Sequence, residues 1–384
     1  MSTTCCRRRR RMRKFGLHNA PSVPGNVLAV VDSKENPVLP RELAQIDTSF
    51  LTSALGHENP GTEVSAVTLA DVRQGTATSI RLQLDYAENP HELPGSMYLK
   101  GNFVDHDFTS FAAFAAEARY FQYLAAGLSD AVVQPRAYFA GTDERGQAIV
   151  LLEDLNAQGV RFGDCEQPLD VDTVADGVRQ LARLQSRFWG GRGLEQFGWI
   201  TDVASVAELM TFLVQPEHFD DYIGRDRADF LSPALRDRQR ITFALQAMFD
   251  FDATLPRALV HGDAHLGNTF QYPGGNLGFC DFQAVGRGPY IWDVTYFLTG
   301  ALDPDNRSVA ERDLLSTYLD ELRRNGVADP PSLEATFLAH RRHMMHGYLN
   351  ILTPVEMQPD RFAVSMGARF AAAMDDLDTL GSFD

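Results

Sequence analysis

Leu259-Val260-His261-Gly262-Asp263-Ala264-His265-Leu266-Gly267-Asn268 is the stretch on which the reading of this chain turns. A short apolar run ends abruptly in a mixture of glycine, histidine, acid and amide, which breaks a strand and makes a loop. On that loop Asp263 and Asn268 stand five positions apart, and Asp281 follows thirteen residues after Asn268, at the end of a second apolar run, Leu277-Gly278-Phe279-Cys280.

Working outward, the residues before this loop carry strand patterns. Residues 64–72 read as a strand, and in the next one Ile80, Leu82, Leu84 and Tyr86 alternate with polar neighbours, the period of a half-buried strand. After the turn cluster ENPHELPG comes SMYLKGNF, which puts Lys100 on the face opposite Met97 and Leu99. A helix is expected next, with Phe114, Phe121 and Leu124 on its inner stripe and Glu117 within that stripe. AVVQPRAYFAG and QAIVLLEDL, around the turn GTDERG, complete about five strands, and a short helix from Pro40 precedes them. Beyond Asn156 the pattern turns helical, beginning with Val174, Val178, Leu181, Leu184 and Phe188 on one stripe, and only residues 257–283 interrupt it. This predicts an α+β chain with an N-terminal lobe over 38–153, a mainly helical C-terminal lobe over 154–384, and a disordered basic tail over 1–37.

Composition narrows the function. A chain of 384 residues with 44% hydrophobic and 22% charged residues suits a globular protein, and no stretch approaches the roughly 18 apolar residues of a membrane span. Net charge is −16, and residues 1–14 hold seven positive charges and no acid, so the remainder carries −23. That acidic body argues against a nucleic-acid surface. Cys5, Cys6, Cys165 and Cys280 form no C-x-x-C pair, which suits a reducing, cytoplasmic setting, and the arginine run lacks the apolar segment of a secretory signal. Lys14, Lys34 and Lys100 are the only lysines among 35 basic residues. Two lie in the tail, so lysine at position 100 invites a reason specific to an ammonium group.

Together these residues resemble a known family. LVHGDAHLGN, then FCDFQ, then Pro289-Tyr290-Ile291-Trp292-Asp293 are similar to the aminoglycoside phosphotransferase and choline kinase-like group, the glutamine of DFQ pointing toward its ecdysteroid-kinase-like branch. The resemblance implies a protein-kinase-like two-lobe fold, with a small, mainly antiparallel sheet and one helix in the N-lobe. It also implies Mg²⁺-dependent transfer of the γ-phosphate of ATP to a hydroxyl of a small molecule. Asp263 would be the catalytic base, and Asn268 and Asp281 would bind magnesium. Lys100 would hold the α- and β-phosphates while paired with Glu117, and Asp293 would brace the catalytic loop through backbone hydrogen bonds. Between the first two strands RQGTATS contains one glycine, Gly75, and no G-x-G-x-x-G, so phosphate contact is expected from the amides of Thr76, Ala77 and Thr78. Gln185 stands where related proteins are expected to carry histidine.

Two rivals compete with this reading: a catalytically weak kinase-fold protein that binds nucleotide and serves regulation, and a metallohydrolase using His261, Asp263 and His265, which spell H-x-D-x-H. His340, His343 and His346 spread over about 120° of a helix, which favours a solvated or substrate-facing edge over a metal site. The expected partners are nucleotide and a small hydroxylated acceptor; the acceptor itself and the oligomeric state are open.

Overall fold

The protein is described by a computed structural model over residues 37–74, 77–103, 111–203 and 205–383. Of the basic tail expected over 1–37, residues 1–36 lie outside the described residues, as do Gly75 and Thr76 of the expected nucleotide loop.

Asp47 caps the first helix, α1 (Thr48–Glu58), by accepting a hydrogen bond from the Phe50 amide. Strands β1 (Glu63–Gln74), β2 (Thr78–Glu88) and β3 (Ser96–Gly101) follow, then helix α2 (Phe111–Tyr123), then β4 (Ala137–Thr142) and β5 (Ala148–Glu153). The five strands form one antiparallel sheet in the order β1-β2-β3-β5-β4. Period-two alternation gives the sheet two different faces. Ile80, Leu82, Met97, Leu99 and Leu151 are buried on one, in a core shared with Phe50, Leu51 and Leu55 of α1. Val150 and Leu152 join Phe114 and Phe121 of α2, and Leu124 just after it, in a second core. Lys100 lies opposite Ser79 and Val150 in register, facing α2.

The C-terminal part begins with β6 (Arg161–Phe162) and α3 (Val171–Ser186), whose stripe of Val174, Val178, Leu181 and Leu184 is buried as its 3.6-residue period demands. Helix α3 stops before Phe188. Helices α4 (Ser205–Leu213), α5 (Pro216–Ile223) and α6 (Arg238–Asp252) come next. Strands β7 (Arg257–Val260), β8 (Thr269–Gln271), β9 (Leu277–Phe279) and β10 (Gly286–Pro289) then frame the central loops. Helices α7 (Ile291–Ala301), α8 (Pro304–Arg324), α9 (Leu333–Tyr348) and α10 (Asp360–Asp376) complete the chain. Helix α7 is buried all round and forms the axis of this part. α3 crosses it at Gly177, where a Cβ would stand 2.4 Å from the Phe297 ring. No described helix is long and apolar enough to cross a membrane.

Strands β6 and β10 carry no strand pattern. Arg161–Phe162 pairs with β8 and Gly-Arg-Gly-Pro with β7, pairings that the two central loops impose. The histidines of α9 also depart from expectation: His340 and His343 are fully buried. Thr295 Oγ1 lies 2.9 Å from His340 Nδ1, Glu311 lies 3.5 Å from His340 Nε2, and Asp252 lies 3.2 Å from His343, so these two pack against α6, α7 and α8, while half-buried His346 stacks on Tyr296.

Candidate active site

Strand β3 delivers Lys100 to the face covered by α2, and α2 presents Glu117 there from its buried stripe. Lys100 Nζ lies 2.7 Å from Glu117 Oε2 and donates to Asp281 Oδ1 at 3.0 Å, joining residues 181 positions apart in sequence. The ammonium is nearly buried, with a side-chain exposure of 12%. Burial alone would lower its pKa, but the two carboxylates overcome this and hold it above the ordinary lysine value. Burial keeps Glu117 above the usual carboxylate range in spite of Lys100. At Asp281 burial acts in the same upward sense, yet Lys100 prevails and the carboxyl sits below its ordinary value.

Asp281 owes its position to an unusual backbone: φ is 65° and ψ is 69°, the left-handed region. The turn aims its carboxylate at Lys100 and sends Phe282 the other way. Phe282 stacks on Tyr120 of α2, centroids 4.0 Å apart, and its amide donates to Glu117 Oε1 at 3.3 Å. The aromatic contact therefore fixes α2, and Glu117 with it, against the Asp281 loop.

The loop after β7 is held from several sides. Asp293, at the start of α7, accepts from the His261 amide at 2.7 Å through Oδ2 and from the Gly262 amide at 2.9 Å through Oδ1. Trp292 Nε1 donates to Gly262 O at 3.0 Å. Gly262 has φ 87°, and a Cβ there would stand 1.9 Å from Ala284 O, so the clamp requires glycine. His261 uses both ring nitrogens inside the loop: Nε2 donates to Cys280 O at 3.0 Å and Nδ1 accepts from the Asp263 amide at 3.3 Å. Burial pushes its imidazole down to about 4, so it stays neutral.

What the loop presents is Asp263, one-third exposed. Asn268 Nδ2 donates to Asp263 O at 3.0 Å and to Oδ2 at 3.2 Å, and the Cys280 amide donates to Asn268 O at 2.9 Å, tying Asn268 to the residue before Asp281. His265 Nε2 stands 3.6 Å from Asp263, with its ring edge-on to Phe362 of α10.

Lys100, Glu117 and Asp281 thus meet directly, and Asn268 joins Asp263 to the Asp281 loop. Thr78 begins β2 opposite Gly101 and is buried, with no described hydrogen bond to its hydroxyl. The H-x-D-x-H cluster is corrected by the geometry. His261 is spent on backbone groups, so only Asp263 and His265 approach each other, and no cluster of three ligating side chains exists among the described residues. The anchoring contacts, Tyr120 against Phe282 and Trp292 on Gly262, carry little sequence signal. Their one signal is that Phe282 and Trp292 each stand next to an acid, Asp281 and Asp293.

Asp293 makes a first test. Burial pushes its carboxyl up to about 6, against hydrogen bonds from the Gly262 and His261 amides that act downward. Asp293→Asn leaves one of the two amides without a full acceptor and should cost about 1–3 kcal/mol at neutral pH. Because the folded-state value lies above the unfolded one near 4, this carboxyl contributes more stability below pH 4 and loses that part as pH rises to 6. The stability gap between wild type and variant should therefore widen between pH 6 and pH 4. Urea unfolding at both pH values checks this, and a narrowing gap would mean that Asp293 is held ionised.

Among curated proteins none matches the chain by sequence. Among solved structures, a choline kinase from Cryptosporidium parvum is 12% identical and covers 82% of this chain and 91% of its own, with a TM-score of 0.52, a likeness of fold. An aminoglycoside phosphotransferase from Streptomyces rimosus in complex with ADP and streptomycin is 20% identical, covering 77% and 97%, at 0.41. An ethanolamine kinase from Plasmodium vivax is 12% identical, covering 80% and 81%, at 0.44. The model of the phosphotransferase enzyme family, APH, matches residues 103–334, more than half of the chain and all of the Asp263 to Asp293 region, and the protein belongs to that family.

Proposed function

We propose that the protein is a cytoplasmic small-molecule kinase that transfers the γ-phosphate of ATP, with Mg²⁺, to a hydroxyl group. The observation that carries this is Lys100 bridging Glu117 and Asp281 beside the loop that presents Asp263. In this reading Lys100 takes the α- and β-phosphates while Glu117 holds its ammonium in place. Phosphate contact in this reading comes from the amides of Ala77 and Thr78 at the start of β2, and the part expected of Gly75 and Thr76 lies outside the described residues. Asp263 orients the acceptor hydroxyl and takes its proton late in the transfer, so catalysis is mainly positioning and charge neutralisation.

Asn268 and Asp281 fit a magnesium ion by the chemistry of their donors, an amide and a carboxylate oxygen from adjoining loops. Bound there, the ion would supply neutralisation of the phosphate charge. With its nitrogen turned to Asp263, Asn268 has its carboxamide oxygen left for a cation.

Thermal shift with ATP and Mg²⁺ tests the reading. Wild type should be stabilised by the pair, and Asp281→Ala should abolish the Mg²⁺-dependent part while keeping a cooperative apo transition. An unchanged Mg²⁺ effect in the variant would remove Asp281 from the metal site. ADP release over a panel of amino sugars, amino alcohols, sterols and hydroxy acids then identifies the acceptor.

A further inference from the structure

The histidines of α9 have no part in the cleft described so far, yet two of them border its clamp. His343 is fully buried, and Asp252, 5% exposed at the end of α6, sets Oδ2 3.2 Å from its Nδ1. Taking an imidazole and a carboxylate out of water is costly, and two apolar side chains would fill the same space without that cost. What this pair backs is Trp292. The His343 ring lies 5.2 Å from the indole, centroid to centroid, and the His346 ring 4.4 Å from it. The two imidazoles are 5.5 Å apart with their planes at 78°, so they form a corner about the indole. Each is fixed by a group outside the clamp: His343 by Asp252, and His346 by Tyr296, on which it stacks at 4.4 Å and whose hydroxyl donates to Asn350 Oδ1 at 3.2 Å. The indole passes this constraint on, because its Nε1 donates to Gly262 O at 3.0 Å, in the peptide that leads into Asp263.

We propose that His343 and His346, with Asp252 behind His343, are positioning residues: they hold the Trp292 indole at the angle at which Nε1 meets Gly262 O, and so set the Gly262–Asp263 peptide and the carboxylate it carries. An apolar corner would pack as well, but without the Asp252 and Tyr296 contacts it would let the indole turn. A turned indole releases Gly262 O, and the loop is then held by Asp293 alone through its amides. The effect on turnover rests on the kinase reading; the effect on the loop does not.

The experiment replaces the pair by apolar residues in the full chain, Asp252→Leu with His343→Leu. Since a buried ion pair exchanged whole for apolar side chains is often neutral or stabilising, the melting temperature should be unchanged or higher. Turnover of the acceptor found in the ADP-release panel should nevertheless fall at least about tenfold in kcat, with the KM for ATP unchanged, because a displaced catalytic group loses rate without losing nucleotide. Amide hydrogen exchange should quicken over residues 261–268 and stay as in wild type elsewhere, a readout that needs no activity. Position 346 is half-buried and keeps the test standing if the double variant misfolds. There His346→Leu should lower kcat and quicken the same exchange, while His346→Phe, which keeps a flat ring, should retain most of both. Adding either leucine change to Trp292→Phe, which has no N–H to position, should cost nothing further. A wild type inactive on every acceptor would fail the kinase reading and leave the exchange data to decide this one. Wild-type exchange over 261–268 in the leucine variants, equal losses in His346→Leu and His346→Phe, or a loss of turnover matched by a lowered melting temperature would each overturn the proposal.

Discussion

Asp263→Asn should lower turnover by at least about 10²-fold and leave nucleotide binding in place. The side chain is one-third exposed and its fixed partners are Asn268 Nδ2 and, at 3.6 Å, His265 Nε2. An asparagine keeps the shape and can still accept through its oxygen, so the loop clamped by Asp293 and Trp292 has no cause to move. What it cannot do is take a proton from the acceptor. The loss should therefore fall on kcat, with the thermal shift produced by ATP and Mg²⁺ equal to that of wild type. Wild-type turnover in the variant would leave Asp263 as a loop-ordering residue and shift the reading toward a nucleotide-binding regulator.

Lys100→Met should be the most destabilising single change in the cleft, by roughly 3–5 kcal/mol at neutral pH, because it strands Glu117 and Asp281 beside each other without their shared cation. The deficit has a sign in pH. With the ammonium gone, both carboxyls titrate higher in the folded state than in the unfolded one, so protonation relieves the repulsion and stability returns as pH falls toward 5. Chemical denaturation at pH 7 and pH 5 measures this, and a pH-independent deficit would mean that the loss is one of packing alone. Lys100→Arg separates charge from shape. The guanidinium keeps the charge and much of the stability, but it is longer and forked where Glu117 and Asp281 sit within 3.0 Å of one ammonium nitrogen. Phosphotransfer should fall to a small fraction of wild type, and an undiminished rate would leave lysine at this position without a chemical reason.

Much of the cleft was legible because its residues break local rules. Lys100 stands out in a chain that otherwise uses arginine, and Glu117 stands out as an acid in an apolar stripe; both signals are local, and the structure adds their separation. The bond from Lys100 to Asp281 spans 181 residues, and nothing in either neighbourhood encodes it. Strand patterns marked all five strands of the large sheet; β2 and β3 alternate because one face of each is buried, and β5 reads as a continuous apolar run because both of its faces are. β6 and β10 are two and four residues long and form where a partner strand is supplied, so they carry no periodic trace. His340 and His343 of α9 depart from the expected edge for a related reason. A polar residue spread around a helix reads as solvated until the facing helices are known to bring Thr295, Glu311 and Asp252 to meet it.

The left-handed backbone at Asp281 sets conformational ease against usefulness. Glycine visits that region at almost no steric cost, whereas a side chain there costs roughly 1 kcal/mol. By backbone criteria alone glycine is the better residue at 281, and a search that rewards heat resistance will be drawn toward it. Such a search would be discarding the carboxylate that meets Lys100. Thermal hardiness and the phosphoryl chemistry proposed for Asp281 would thus compete for a single codon, and directed evolution of this chain toward robustness needs an activity screen wherever position 281 is free to vary.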